Sequence, residues 1–548
     1  MSQNSPNGSR RRYALPLALA ILGGASLGLT GCGGGGTTGF KRGGDAAEAS
    51  AVPTGEFNKQ NAESYGAIVE NEFRSPLVAP RSTFSADVNT ASYANVRRFI
   101  AQQNKLPPRD AVLLAELVNY FPYTYPAPTG DNPVSLTLDI APCPWEPEHK
   151  LARIGVRARD IAPADMPARN LVFLIDTSGS MAGENRLPLV KRALNLLVDT
   201  LAERDRVTIV TYAGDAGLKL TPTPGNRKRA IRDVVNSLGA GGGTNGEGGI
   251  RLAYEMARRT FIEGGANRVI LCTDGDFNVG VSNQSELRQL IEKERTSGVF
   301  LSVLGFGMGN YKDATLKKLA NCGNGQHAYI DTIDEARKVF VEQGAALVCV
   351  AKDVKFQVDF NPAKVNAYRL IGYENRILKA EDFKNDAKDA GDVGSGHTVT
   401  ALYEIVPVGV QIDLPDVDPY KYQKPAQGAG PPAGPRNGTN GFDRPGQQGD
   451  EWLTVKMRYK RPDGDASKEL AAVLKGEGTG RGSEDFRFAS AVIEFGLILR
   501  DSPYKGGANL GAVIERASGA LGADPNGHRK EFVELARRAK GLRERAAE

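Results

Sequence analysis

The stretch LVFLIDTSGS at residues 171–180 joins an apolar run to a D-x-S-x-S motif. Its first five residues are apolar and predict a buried strand that ends at Asp176. Apolar positions on one helical face over residues 186–203 predict an amphipathic helix after the polar turn. A strand, a turn and a helix in this order form the crevice in which open α/β sheets hold ligands. We therefore expect an α/β fold with a doubly wound, mostly parallel sheet.

Two later segments place polar residues in equivalent positions. Thr244 follows the glycine-rich residues 239–243, which let the backbone pass close to a bound ion. Asp274 follows a strand predicted over residues 268–273. Hydroxyl and carboxylate oxygens without His or Cys suit a hard divalent cation such as Mg²⁺ or Mn²⁺. The candidate metal site consists of Asp176, Ser178, Ser180, Thr244 and Asp274.

This set of residues resembles the metal-ion-dependent adhesion site of von Willebrand factor type A domains. The resemblance implies that Ser178 and Ser180 bind the ion directly and that Thr244 binds it directly or through water. It also implies that Asp176 and Asp274 act mostly through water. Neutral hydroxyls leave most of the ion's charge uncompensated, so an exchangeable position seeks a Glu or Asp carboxylate offered by a protein partner.

The segments on either side of this domain carry a second resemblance. Residues 82–98, STFSADVNTASYANVRR, are similar to the segment that precedes the metal domain in bacterial lipoproteins of the YfbK family. Residues 368–376, YRLIGYENR, and 396–404, GHTVTALYE, are similar to the C-terminal region of the same family. The similarity spans about residues 82–542 and leaves the biochemical role undefined.

The N-terminus predicts an address in the cell envelope. Three arginines at residues 10–12 precede an apolar stretch over residues 13–29, which is typical of a secretory signal over residues 1–31. The ending L-T-G-C resembles a bacterial lipobox and implies acylation of Cys32. A single-span membrane anchor is the alternative, although the stretch is short and broken by Pro16. Gly33 after the cysteine favours the outer membrane in a cell with two membranes.

Net charge and cysteine content narrow the classes of partner and fold. The formal charge of +5 falls to about +2 once the three signal arginines are removed, so nucleic acid is not favoured as a partner. Beyond Cys32, the spacing of the cysteines matches no zinc motif. We interpret Cys143, Cys272, Cys322 and Cys349 as mostly free core thiols, with one disulfide left open.

The predicted domain order places the metal domain inside other folded segments. A flexible tether covers residues 32–80, an N-terminal flanking domain 81–167 and the von Willebrand factor type A domain 168–347. A β-rich and then helical region follows over 348–548, with a disordered loop at 414–450. Alternating strand patterns on both sides predict a β-sandwich into which the metal domain is inserted.

Two functions remain open from the sequence, and both are non-catalytic. The first is an envelope-anchored module that grips an acidic residue of a partner through its metal. The second is an envelope scaffold or assembly factor in which the metal mainly stabilises a loop or a subunit contact. A catalytic role is not expected, because no phosphate-binding loop, H-E-x-x-H or G-x-S-x-G motif occurs in the chain.

Overall fold

A computed structural model describes residues 63–275, 277, 284–414, 449–462, 464–478 and 480–548. The predicted signal peptide (1–31), the predicted lipidation site Cys32 and residues 32–62 of the predicted tether lie outside the described residues. So do residues 415–448 of the predicted loop at 414–450.

The central domain is an α/β domain whose sheet has the strand order β6-β5-β4-β7-β8-β9. All neighbouring strands are parallel except the antiparallel pair formed by β5 and the edge strand β6. Ahead of it come β1 (Arg81–Ser85), α1 (Ala91–Arg97), α2 (Leu114–Asn119), β2 (Val134–Pro142) and β3 (Lys150–Ala158). Its own elements are β4 (Arg169–Asp176), α3 (Leu187–Thr200), β5 (Arg206–Tyr212), β6 (Ala216–Pro224), α4 (Lys228–Ser237), α5 (Gly246–Arg259), β7 (Ala266–Thr273), α6 (Gln284–Thr296), β8 (Val299–Phe306), α7 (Asp313–Cys322), β9 (His327–Ile330) and α8 (Ile333–Arg337).

Strand β4 shows why this sheet is covered on both faces. All eight of its residues are buried. Leu171, Phe173 and Ile175 pack into one hydrophobic cluster, and Val172 and Leu174 pack into another on the opposite face. Successive side chains of a strand point to opposite faces, so a continuous apolar run requires helices on both sides. The expected α/β class and its mixed, mostly parallel sheet are confirmed.

Strands from both sides of the central domain form two antiparallel sheets. One sheet has the order β12-β1-β10-β15-β16, with β13 also paired to β10, and the other has the order β11-β14-β3-β2. The elements after the central domain are β10 (Cys349–Phe360), β11 (Val365–Ile371), β12 (Ile377–Leu378), β13 (Gly391–Gly394), β14 (Thr398–Pro407), β15 (Glu451–Lys460), β16 (Ser467–Lys475), α9 (Glu484–Arg500), α10 (Leu510–Ser518) and α11 (His528–Ala547). The rings of Phe360 and Tyr368 stack between the sheets with centroids 3.8 Å apart.

The helices outside the central domain share a separate hydrophobic core. Helices α1, α2, α9, α10 and α11 all contribute buried residues to it. The rings of Tyr93 and Tyr120 stack with centroids 3.9 Å apart, and Phe121 meets Phe488 edge-on at 4.9 Å. Aromatic pairs in these arrangements add to the stabilisation that burial alone provides. Among the described residues, none of the helices combines the length and apolar character needed to span a bilayer.

One turn marks both the entry to the central domain and the exit from it. The amide of Gly396 donates to the carbonyl of Arg159, just after β3, at 3.1 Å. The amide of the neighbouring Ser395 donates to the carbonyl of Val348, just before β10, at 2.9 Å. The chain therefore leaves the two-sheet body and returns to it at nearly the same point.

The segment from residue 63 to residue 80 is bound to the folded body, which corrects the predicted tether of residues 32–80. The amide of Ser64 donates to the carbonyl of Tyr311 at 3.0 Å. Arg74 and Tyr368 exchange two backbone hydrogen bonds of 2.9 Å. A lack of apolar periodicity suggested a free linker, but backbone pairing and the aromatic contacts of Tyr65 and Phe73 hold this segment.

The cysteines that lie in the described residues carry free thiols. Cys143 and Cys272 are buried, and Cys322 and Cys349 are partly buried. Burial raises the pKa of the Cys272 thiol far above its ordinary value. The interpretation as mostly free core thiols is confirmed for these four, and a buried neutral thiol is chemically inert.

Candidate metal centre

Asp176 organises the loop that follows β4. Its Oδ1 accepts a hydrogen bond of 2.9 Å from the amide of Ser178, which turns the chain sharply at the strand end. A short 3-10 turn, Gly179–Ala182, then leads toward α3. The Oγ atoms of Ser178 and Ser180 lie 3.1 Å apart, the first residue buried and the second exposed. The D-x-S-x-S spacing therefore brings two hydroxyls together at the surface above a buried carboxylate.

The second oxygen of Asp176 is held by the neighbouring strands. Oδ2 accepts from the hydroxyl of Tyr212, the last residue of β5, at 3.0 Å and from Thr273 Oγ1 at 3.4 Å. Burial raises the pKa of Asp176 to about 6, and the nearby charge of Asp274 adds to the rise while bonds from Ser178 and Tyr212 oppose it. Two carboxylates close together away from water favour a positive charge between or beside them.

The glycine-rich loop that carries Thr244 is joined by backbone hydrogen bonds to residues 177–180, the serine loop. The amide of Gly241 donates to the carbonyl of Thr177 at 2.7 Å, and the amide of Gly179 donates to the carbonyl of Gly242 at 3.1 Å. Gly242 has a φ of +85°, a conformation that favours glycine. Thr244 itself is half-buried, immediately before the residue that caps α5.

Asp274 follows β7 and is 1 % exposed. Thr273 Oγ1 both donates to Asp176 and accepts from the amide of Gly275 at 3.2 Å, so it ties the two carboxylate-bearing loops together. Gly275 has a φ of +108°, and a Cβ there would lie 2.7 Å from the carbonyl oxygen of Asn310. Glycine is therefore required where the chain passes this close to the next loop.

The donor set fits a hard divalent cation. Two buried carboxylates and neighbouring hydroxyls offer only oxygen, which Mg²⁺ and Mn²⁺ prefer. In the part of the chain that the structure describes, no group of three or more His, Cys, Asp or Glu side chains could hold a metal ion, and this site contains only two carboxylates. Metal binding by Asp176, Ser178, Ser180, Thr244 and Asp274 remains a prediction.

Three residues around the site were not identified from the sequence. Tyr212 pairs with Asp176 in the parallel register of β4 and β5. Because the carboxyl ends of parallel strands meet at one edge of a sheet, its position near the site could have been predicted. Thr273 is adjacent to Asp274 and could have been found in the same way. Arg186 approaches Asp274 Oδ2 with its Nε at 3.6 Å, and nothing in its local pattern indicated this contact.

Comparison with known proteins decides the family. Three family models match the chain: "von Willebrand factor" over residues 59–153, "von Willebrand factor type A domain" over 170–342, and "Uncharacterized protein YfbK, C-terminal" over 345–542. The YfbK protein of Escherichia coli (strain K12) is 41 % identical over 486 residues, which cover 87 % of this chain and 81 % of that protein. The chain belongs to the YfbK family. Its resemblance to that family is thereby confirmed over most of its length.

More distant matches cover part of this YfbK-family chain. The human inter-alpha-trypsin inhibitor heavy chain H3 is 31 % identical over 183 residues, covering 31 % of this chain and 20 % of that protein. A solved structure, von Willebrand factor type A from Catenulispora acidiphila, is 14 % identical and covers 73 % of this chain and 91 % of its own, with a TM-score of 0.40.

Proposed function

We propose that this YfbK-family chain binds Mg²⁺ or Mn²⁺ at its candidate metal centre and uses the ion to bind a protein partner. The observation that carries the proposal is the 3.1 Å approach of the Ser178 and Ser180 hydroxyls beside the buried carboxylate of Asp176. The residues that would hold the ion are Asp176, Ser178, Ser180, Thr244 and Asp274. Family membership supports this proposal, because the central domain matches the von Willebrand factor type A model over residues 170–342.

The residues around the site divide into two roles. When bound, the cation supplies a positive charge and a coordination position that an outside ligand can take. The hydroxyls of Ser178, Ser180 and Thr244 contribute no formal charge, so they leave that positive charge available to a Glu or Asp carboxylate of the partner. Asp176 is held by donors from Ser178 and Tyr212, so it orients the serine loop.

The backbone bonding of the loops favours partner binding over a purely structural ion. The Thr244 loop and the serine loop are already joined by the hydrogen bonds Gly241 to Thr177 and Gly179 to Gly242. A cation is therefore not needed to bring these loops together. The alternative is the scaffold or assembly role, in which the ion mainly stabilises a loop or a subunit contact. Experiment can distinguish it from partner binding.

Cation binding is tested by calorimetric titration of the purified chain with Mg²⁺ and with Mn²⁺. The double variant Ser178→Ala, Ser180→Ala removes two oxygen ligands and should abolish binding, while Ser237→Ala is a matched control. Ser237 is an exposed serine of the same domain whose hydroxyl donates only to the Val234 carbonyl among the described contacts. Cation binding by the double variant at the affinity of the wild type would refute the ligand assignment.

Chelation separates the two candidate functions. A pull-down from envelope extract is run with divalent cations and with EDTA, and thermal unfolding is followed under the same conditions. Loss of a partner on chelation with an unchanged unfolding midpoint supports the binding module. A large fall in the midpoint without any cation-dependent partner supports the scaffold.

We also propose that the chain is a lipoprotein anchored at Cys32 in the cell envelope, facing away from the cytoplasm, with the outer membrane favoured in a Gram-negative cell. The proposal rests on the L-T-G-C ending of the apolar stretch and on Gly33 after it. Metabolic labelling with a fatty-acid analogue tests it. Label should enter the wild type and not Cys32→Ser, and equal labelling of both chains would contradict the anchor.

A further inference from the structure

Arg186 contacts two parts of the candidate metal centre and a neighbouring loop. It lies immediately before α3, and its NH1 donates to the carbonyl of Ser180. Its NH2 donates to the carbonyl of Met308 at 2.6 Å, and its Nε lies 3.6 Å from Asp274 Oδ2. One guanidinium therefore spans the serine loop, the second carboxylate and the loop of residues 307–311 that follows β8. A planar group with a fixed fork of donors is suited to this bridging position.

The 307–311 loop is shaped around this guanidinium. Gly307 has a φ of +77°, and a Cβ at that position would lie 2.5 Å from Arg186 Nε. The Gly307 carbonyl accepts from the hydroxyl of the buried Tyr329. The arginine thus fills the space that a side chain at residue 307 would occupy. If the arginine shifts, the loop has to move with it.

The other side of the same loop is held by the N-terminal segment of residues 63–80. The amide of Gly309 donates to Glu63 Oε1 at 2.7 Å, and the amide of Ser64 donates to the Tyr311 carbonyl at 3.0 Å. The Glu63 side chain is 4 % exposed and accepts from the guanidinium of Arg98 at 2.6 and 2.9 Å. This end of the segment is therefore fixed by a buried ion pair and not by a passing surface contact.

We infer that Arg186 couples cation binding at the metal centre to the attachment of the N-terminal segment, an inference that rests on the proposed function. The guanidinium and a bound cation both seek the carboxylate of Asp274, and they repel each other. Cation binding weakens the hold of Arg186 on Asp274 and on the Met308 carbonyl, which loosens the 307–311 loop. By reciprocity, release of Glu63 from Gly309 alters cation affinity.

Arg186 is a positioning residue whose charge opposes the ion. Arg186→Gln removes the competing charge and should tighten Mg²⁺ binding on the order of tenfold. Arg192→Gln removes the same charge from an exposed position on α3 and is the matched control, with an affinity within about twofold of the wild type. Both affinities are measured by calorimetry on the purified chain.

Amide hydrogen exchange provides the readout of the coupling. In the wild type, saturating Mg²⁺ should speed exchange at the amides of Gly309 and Ser64, which donate to Glu63 and Tyr311. In Arg186→Gln these amides should exchange at the same rate with and without the ion. If saturating Mg²⁺ left the exchange rates of both amides unchanged in the wild type, the coupling would be overturned.

A second variant tests the coupling from the opposite end. Glu63→Ala removes the acceptor of the Gly309 amide and should tighten Mg²⁺ binding in the same direction as Arg186→Gln, but less. Combined with Arg186→Gln it should add nothing, because both changes break one connection. A wild type that binds no cation contradicts the proposed function itself. Cation binding of equal strength in the wild type, Glu63→Ala and Arg186→Gln contradicts only the coupling.

Discussion

Two carboxylates at the same edge of the central sheet have opposite surroundings. Asp176 ends β4 and Asp331 follows β9, and both strands run in the same direction through the sheet. Asp331 accepts from Arg97 Nε at 3.0 Å, and Arg97 also donates to Glu335 at 2.8 Å. Asp176 accepts only from neutral donors among its described hydrogen bonds, namely the Ser178 amide and the hydroxyls of Tyr212 and Thr273.

The difference shows that a position at a strand end does not by itself make a ligand site. Arg97 belongs to the helical flank, the group of helices outside the central domain. Its positive charge compensates that of Asp331 inside the protein. At Asp176 the hydrogen-bond donors are uncharged, the neighbouring Asp274 is itself an acid, and the guanidinium of Arg186 lies 3.6 Å from Asp274. The first cluster therefore fastens the flank to the domain, whereas the second retains charge that an ion can satisfy.

The largest effect is expected from Arg97→Met. The substitution leaves Asp331 and Glu335 buried without their guanidinium, which should lower the free energy of unfolding by about 3–5 kcal/mol. Urea denaturation monitored by circular dichroism measures the loss. If the fall is below about 1 kcal/mol, the charge of Arg97 is not what fastens the helical flank, and the contrast with the Asp176 cluster disappears.

Gly275→Ala should have the next largest effect, and it acts on the other cluster. The new methyl group meets the Asn310 carbonyl at 2.7 Å with a φ of +108°, so we expect a loss of about 2–3 kcal/mol together with weaker cation binding. Gly264→Ala is the control, because φ is +67° but nothing lies within 4 Å of the added group. It should cost about 1 kcal/mol and leave cation affinity unchanged. Equal losses in both variants would show that close approach at Gly275 is unimportant.

A third carboxylate, Asp392, is expected to make stability depend on pH. Burial raises its pKa to about 7, and the charges of Asp389 and Asp353 add to the rise. Between about pH 4 and 7, Asp392 therefore holds a proton in the folded protein but has lost it in the unfolded chain. The contribution of this group to the free energy of unfolding falls as the pH rises through that window.

Asp392→Asn should remove that fall and gain about 1–3 kcal/mol at pH 8 relative to the wild type. The amide oxygen can still accept the 3.1 Å hydrogen bond from the Asp353 amide. Urea denaturation at pH 5 and pH 8 measures the difference. Asp205 has the opposite dependence on pH. Its interactions with Arg169 outweigh the effect of burial and lower its pKa, so the stability that this group contributes is lost as the pH falls. An Asp392→Asn variant with the same free energy of unfolding as the wild type at pH 5 and at pH 8 would contradict the assignment to Asp392.

The smallest effect is expected from Arg232→Ala. Arg232 pairs with Asp199 at the surface, and their side chains are 36 % and 66 % exposed. Solvent screens such a pair, so the free energy of unfolding should change by about 0–1 kcal/mol. Salt titration of the unfolding transition checks this result. A loss as large as that of Arg97→Met would mean that burial does not separate the two kinds of ion pair.

Much of the central domain follows from local sequence patterns. The apolar run that ends at Asp176 predicted β4, and the amphipathic pattern over residues 186–203 predicted α3, which spans Leu187–Thr200. The strand predicted over residues 268–273 lies within β7, which spans Ala266–Thr273. These elements could be predicted because each depends on periodicity within one short segment.

The contacts that surround the candidate site depend on distant residues. Arg186 and Met308 are 122 residues apart, and Arg97 and Asp331 are 234 apart. Periodicity within one segment carries no information about such pairs. The docking of residues 63–80 was missed partly because main-chain hydrogen bonds such as those between Arg74 and Tyr368 do not depend on side-chain type. Its side-chain contacts, such as that of Phe73 with Tyr504, also join residues that are far apart in the sequence.

The shared turn at Ser395 and Gly396 brings the two ends of the central domain together. Because Arg159 and Val348 both bond to that turn, the chain connections of an exchanged domain would be made at two neighbouring points. The strand pairing of both outer sheets, including β1 with β10, would stay in register after such an exchange. An exchanged domain would also need the contacts that hold the flanks, such as the acids that pair with Arg97 and the loop amide that donates to Glu63.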